Sequence, residues 1–343
     1  MTDLPGIRVD PVTAWLSSHA PGARAPFRFE QIAGGRSNLT YRVTDAAGHA
    51  WALRRPPLGH VLATAHDMSR EHRIVSALAP TAVPVAPLVG LCDDPSVNDA
   101  PFYVMGFVEG IVLRDEASAR AVAPKVRTHA CESMIDTLVA IHQVDVDAVG
   151  LGTLGRKDGY VARQLKRWRQ QFADSKTRDL PDIERVHDIL VARIPEQQGA
   201  GIVHGDYRLD NCILSPGGDV RAVLDWELCT LGDVLCDVAQ LLVYWCEPAD
   251  EAYTLESPPT VVPGFFTRDQ VIEAYAARSP LDMSGIDFYL AFAYWKVACI
   301  IEGVYARYRA GVMGEESATA DHEPFARRVE LLARRAAETA DRL

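Results

Sequence analysis

Apolar and polar positions alternate in short bursts along the first hundred residues. Phe27–Ile32, Leu39–Val43 and Trp51–Leu53 read as three strands, and Leu39, Tyr41 and Val43 share one face of the second. Gly34–Gly35 and Asp45–Gly48 separate them, which predicts an antiparallel meander. The spacing turns helical from Thr64 to Leu78, where Met68, Ile74 and Leu78 fall on one side. Two more strands, Val85–Leu91 and Phe102–Phe107, flank the turn-rich Asp93–Pro101. The prediction is a five-stranded antiparallel sheet with one helix inserted after the third strand.

From about Gly110 the period becomes helical. Cys131, Met134, Leu138 and Ile141 form one stripe, and Val161, Leu165, Trp168 and Phe172 a second. A third, with Val186 and Ile189, ends before Pro195. A β-like island (Ile202–Val203, Cys212–Leu214, Val220–Leu224) interrupts. Helices resume at Val234–Trp245, Arg268–Arg278, Ile286–Arg309 and Glu323–Arg342, the second opened by a Thr267/Gln270 capping box. Glu247–Pro263, with four prolines and no basic residue, reads as an insert. Ile286–Val304 is apolar but contains Asp287, Lys296 and Glu302, so it is expected to be a buried helix and not a membrane span. The fold class is α+β, with an N-terminal lobe at residues 1–106, a helical C-terminal lobe at 107–343 and a hinge near 105–110.

Composition adds limits. The 343 residues are 48% hydrophobic and 24% charged, which is globular usage. Lys and Arg number 35 against 46 Asp and Glu, a net charge of −11, so binding of nucleic acid through phosphate neutralisation is not expected. The first 106 residues carry nine Arg, no Lys and nine acids, and the first lysine is Lys125, so the whole −11 lies in the second lobe. Seven cysteines without a C-x-x-C pair read as reduced, buried thiols. With no signal peptide in Met1–Asp10, a cytoplasmic protein without a membrane or nucleic-acid partner is expected.

The β-island carries the chemistry. It reads His204-Gly205-Asp206-Tyr207-Arg208-Leu209-Asp210-Asn211, and Leu224-Asp225-Trp226-Glu227 follows a short apolar strand. An Asp, an Asn five residues on and a second Asp after a hairpin have the spacing of a kinase catalytic loop and its metal-binding Asp. Phosphoryl transfer requires a carboxylate to take the acceptor's proton, here Asp206. It also requires oxygen ligands for Mg²⁺ at the nucleotide phosphates, here Asn211 and Asp225.

H-G-D-Y-R-L-D-N followed by L-D-W-E resembles the aminoglycoside phosphotransferase family, itself similar to choline and homoserine kinases. The resemblance runs from about Phe27 to at least Trp245 and implies a bilobal, protein-kinase-like fold using ATP and Mg²⁺. It implies a phosphate-covering loop at Ala33–Thr40, with Gly34, Gly35, Ser37 and Asn38 as nucleotide-binding residues, and a hinge at Met105–Gly110, with Met105 and Phe107 beside adenine. It implies a helix glutamate, Glu71, paired with a strand-three cation. The family usually has lysine there; this sequence has Ala52-Leu53-Arg54-Arg55, and alternation favours Arg54, with Arg55 as the alternative. His204 would support the loop, Glu227 would reach the metal through water or the acceptor, and Asp233 and Asp237 would brace the loop. G-G-x-S-N-x-T-Y with L-R-R-P-P further resembles the kinase-like domains fused to acyl-CoA dehydrogenases. The implied activity is transfer of the γ-phosphoryl group of ATP to a small-molecule hydroxyl. The acceptor is an aminoglycoside-like compound or a hydroxyacyl compound, for which Lys157, Arg163, Lys166 and Arg167 would serve as phosphate ligands. The alternative is a nucleotide-binding pseudokinase.

Overall fold

The computed structural model describes residues 4–32, 38–58, 67–250, 257–311 and 322–343. Strands β1 (Arg28–Gln31), β2 (Leu39–Thr44) and β3 (Ala50–Arg55) form the expected antiparallel run, with Tyr41 opposite Leu53 and Thr40 opposite Arg54. The other two, β4 (Leu88–Cys92) and β5 (Phe102–Gly106), do not continue in chain order, because the sheet runs β1-β2-β3-β5-β4. Burial explains this. Phe102, Tyr103, Val104 and Met105 are all buried, which suits an interior strand, whereas β4 is mostly half-buried and its register slips between Leu88 and Gly90.

Two helices cover opposite faces of this sheet. The first, α1 (Val9–His19), was not anticipated from the sequence, although Val12, Trp15 and Leu16 have i, i+3, i+4 spacing. They pack with Tyr41, Val43, Leu53, Phe102 and Val104. Burying side chains of this size is worth about 1.5–3 kcal/mol each. On the other face, α2 (Met68–Leu78) starts at Asp67, whose side chain accepts from Arg70 N. Its Met68 packs with Ala52, Tyr103 and Met105. Ala52 and Arg54 therefore share the α2 face.

The chain divides into two compact units, Met1–Ile111 with Val220–Leu228, and Val112–Asp219 with Cys229–Leu343. The first unit thus includes β8 (Val220–Val223), tied by Val223 N to Pro84 O at 2.9 Å, and the 3₁₀ turn Trp226–Leu228.

The second unit contains α3 (Glu116–Arg120), α4 (Pro124–His142), α5 (Tyr160–Ser175), α6 (Pro181–Ala192), α7 (Leu235–Tyr244), α8 (Arg268–Ala276), α9 (Ile286–Arg309) and α10 (Glu323–Ala340). Both halves of the Thr267/Gln270 capping box are formed at α8. Although α9 has the length and apolarity of a membrane span, it packs against α5, α6, α7 and α10. Its Trp295 donates to Ile183 O at 2.9 Å, and its fully buried Glu302 accepts from Thr177 and Arg178. The unit also contains β7 (Cys212–Leu214) and a pair not fully expected: β6 (Gly201–Val203) bonds antiparallel to β9 (Thr230–Gly232). Gly201 is required there, since a Cβ would lie 2.8 Å from His142 O. All seven cysteines are buried and free.

Candidate active site

In the second unit, β6 delivers the chain into His204-Gly205-Asp206. The fully buried Asp237 near the start of α7 accepts from His204 N at 2.5 Å and Gly205 N at 2.8 Å. Gly205 has φ +87°, which a side chain would strain. Burial pushes the Asp237 carboxyl up, but His142 and the two amides hold it below the ordinary carboxylate range. Asp233 is buried too; it accepts from Tyr289 Oη at 2.7 Å and Leu235 N at 3.2 Å, and burial raises it. The braced loop then presents Asp206. Asn211 Nδ2 donates to Asp206 O at 2.8 Å and to its Oδ2 at 3.0 Å, leaving the amide oxygen of Asn211 as its remaining acceptor.

Arg208, which sequence reasoning did not single out, lies between Asp206 Oδ2 (3.3 Å) and Asp210 Oδ2 (3.0 Å). Its guanidinium sits 4.9 Å from the ring centroid of Tyr244. His204 is fully buried, and its Nδ1 lies 3.3 Å from Asp206 N, so it is part of the loop's frame.

In the first unit, Arg54 Nε donates to Glu71 Oε2 at 3.1 Å and Nη2 to Asp225 Oδ1 at 2.5 Å. Arg55 instead turns to Gly6 O, Pro56 O and Asp99, which separates the two arginines the sequence left open. Burial raises Glu71, and Arg54 draws it partly back. Tyr103, a second residue missed from sequence, is buried, and burial and the Glu71 carboxylate beside it push its phenol well up. Asp225 has φ +64°, the one positive value at a non-glycine among the described residues. Backbone strain of this kind is retained where a side chain must be aimed. Glu227 Oε2 accepts from Asn38 Nδ2 at 3.1 Å and lies 4.0 Å from Arg54 Nη2. Gly34, Gly35 and Ser37 lie outside the described residues.

In the hinge segment, Met105 pairs with Ala52 across the sheet, Gly106 N donates to Pro87 O at 2.7 Å and Phe107 N to Ala50 O at 3.1 Å. Phe107 also stacks under Arg42 at 4.4 Å. The cations expected for acceptor phosphates are dispersed. Lys157 pairs with Asp147 at 2.5 Å, Arg163 with the carbonyls of Arg156 and Asp158, and Arg167 with Trp168. Lys166 lines a groove of about 560 Å³ between α5 and α6 that does not include Asp206 or Asn211.

The sequence profile of the phosphotransferase enzyme family, APH, matches residues 28–280. The chain is 38% identical over 309 residues to acyl-CoA dehydrogenase family member 10 of Mus musculus, covering 86% of this chain but 28% of that protein. It thus spans well under half the length of this curated relative. Among solved structures, a Ralstonia eutropha protein whose name places it with the aminoglycoside phosphotransferases superposes with a TM-score of 0.81 and 32% identity, over 97% of this chain and 98% of the other. Choline kinase from Cryptosporidium parvum shares the fold at a TM-score of 0.65 and 11% identity, covering 96% of each chain.

Proposed function

This chain belongs to the phosphotransferase enzyme family, and on that premise we propose that it moves the γ-phosphoryl group of ATP onto a hydroxyl of a small-molecule acceptor. The observation that carries the reading is Asp206, a carboxylate on a loop pinned by Asp237 and oriented by Asn211 and Arg208. Asp206 takes the proton of the acceptor hydroxyl as its oxygen bonds to the γ-phosphorus; the bond from that phosphorus to the β–γ bridging oxygen breaks, and ADP leaves.

The amide oxygen of Asn211 in the second unit and the carboxylate of Asp225 in the first are each hard oxygens of the kind Mg²⁺ takes. Mg²⁺ would supply charge neutralisation at the β- and γ-phosphates. Arg54 offers a guanidinium to the phosphates in place of the usual lysine, oriented by Glu71. With the amides of Gly106 and Phe107 bonded inside the first unit, a base at the hinge is left the amide of Val108 and the carbonyls of the segment. An aminoglycoside-like or a hydroxyacyl acceptor is compatible with this chemistry. Following ADP release from ATP and Mg²⁺ across hydroxylated compounds tests the reading, which requires turnover that Asp206→Asn removes.

A second reading, a nucleotide-binding pseudokinase, draws on the Arg54–Asp225 pair, which ties up the carboxylate a metal would use. Nucleotide binding by calorimetry with no turnover on any acceptor would favour it.

A further inference from the structure

Lys296, in the middle of α9, is 9% exposed. Lysine is almost never buried without a counter-charge, because withdrawing an ammonium from water costs several kcal/mol. Lys296 forms no ion pair among the described residues; its hydrogen bond, from Nζ to Gln240 Oε1 on α7, is a long 3.4 Å. A methionine would fill the same space without that cost. An ammonium kept under these conditions is the mark of a working group.

Its surroundings say what work. Gln240 lies one helical turn from Tyr244 on α7, and the Tyr244 ring carries the Arg208 guanidinium that braces Asp206 and Asp210. Burial pulls the Lys296 ammonium down, while Cys236, Asp237 and Asp206 draw it back and Arg167 on α5 opposes them. Arg208 is in ion-pair contact with two carboxylates, whereas among the described residues Lys296 makes direct polar contact with an amide oxygen and no carboxylate. The acidic second unit therefore keeps a buried cation without a direct carboxylate partner among the described residues, within the field of its proposed base.

We propose that Lys296 is the acceptor-recognition cation of this protein, pairing with a carboxylate or phosphate on the hydroxyl-bearing acceptor. The inference rests on the reading of Asp206 as the base. The acceptor is then a hydroxylated anion, since an anionic group supplies the direct ion pair that no described carboxylate makes with Lys296. A polycationic amino sugar would add like-charge repulsion to a charge already buried.

The test compares the full chain with Lys296→Met and Lys296→Arg, measuring ADP affinity by calorimetry, denaturation midpoint, and ATP consumption with short hydroxy acids, hydroxyalkyl phosphates and amino sugars. Wild-type protein is expected to turn over at least one anionic class. Lys296→Met is expected to raise KM for that class by about 30-fold or more, with ADP affinity within about twofold and an unchanged or higher denaturation midpoint; Lys296→Arg recovers most of the KM loss. A loss confined to the hydroxy acids assigns a carboxylate, and one confined to the phosphates assigns a phosphate. Turnover of amino sugars alone, an unchanged KM in Lys296→Met, or bound ADP with no anionic compound consumed overturns the proposal. Wild-type protein that binds no ADP overturns the phosphotransferase reading itself.

Discussion

Arg54 Nη2 lies 2.5 Å from Asp225 Oδ1, across 171 residues of sequence, while its Nε stays on Glu71. One guanidinium thereby serves two carboxylates, which a lysine ammonium on a shorter reach does with a single point charge. Arg54→Met leaves the buried Glu71 without its cation, and a loss of about 3–5 kcal/mol in denaturant unfolding is expected. Arg54→Met combined with Glu71→Gln should recover a large part of it. Equal losses in the single and double variants would show that the pair is not what holds α2 against the sheet.

Asp206→Asn keeps the shape of the loop and the contact to Asn211 but cannot accept a proton. Phosphoryl transfer should fall by about 10²–10⁴-fold, the usual range for a general base. ADP affinity by calorimetry should stay within a few-fold. Near-wild-type turnover would remove Asp206 from the base role.

Asp237 and Asp233 are predicted to respond to pH with opposite signs. Asp237 is depressed in the folded protein, so its contribution is complete above the ordinary carboxylate value and is lost as pH falls through the depressed one. Asp233 is raised, so its contribution is complete below the ordinary value and is lost as pH rises through the raised one. Relative to wild type, Asp237→Asn should therefore be more destabilising at pH 7 than at a pH well below the ordinary carboxylate value, and Asp233→Asn less destabilising at pH 7 than at that low pH. Urea unfolding of the three proteins between those limits decides it; parallel curves would contradict both assignments.

Asp225 occupies the left-handed region at φ +64°, where Asn and Gly are tolerated and a β-branched residue is not. Asp225→Asn and Asp225→Gly should unfold within about 1 kcal/mol of wild type, and Asp225→Val should lose about 2 kcal/mol or more. All three lack the carboxylate and should lose transfer activity. Equal stability of the Gly and Val variants would argue that the turn relaxes.

Local features of this protein are legible in its sequence. The period-two bursts locate the five strands, the capping box at Thr267 locates the start of α8, and the spacing of Asp206, Asn211 and Asp225 points to phosphoryl transfer. These signals are set by side-chain alternation and by turns a few residues long. Non-local relationships are not legible in the same way. The position of β5 inside the sheet follows from which strand can be buried on both faces, and α1 escapes notice because a single helical stripe beside Pro11 gives a weak signal. The choice of Arg54 over Arg55 comes from the α2 face of β3, and the partner of Glu227 is Asn38, 189 residues away. The burial of the Lys296 ammonium without a direct ion pair among the described residues arises only once α9 has been packed among its neighbours. A sequence states which residues are charged; burial decides which charges lack a counterion, and burial is a property of the folded chain alone.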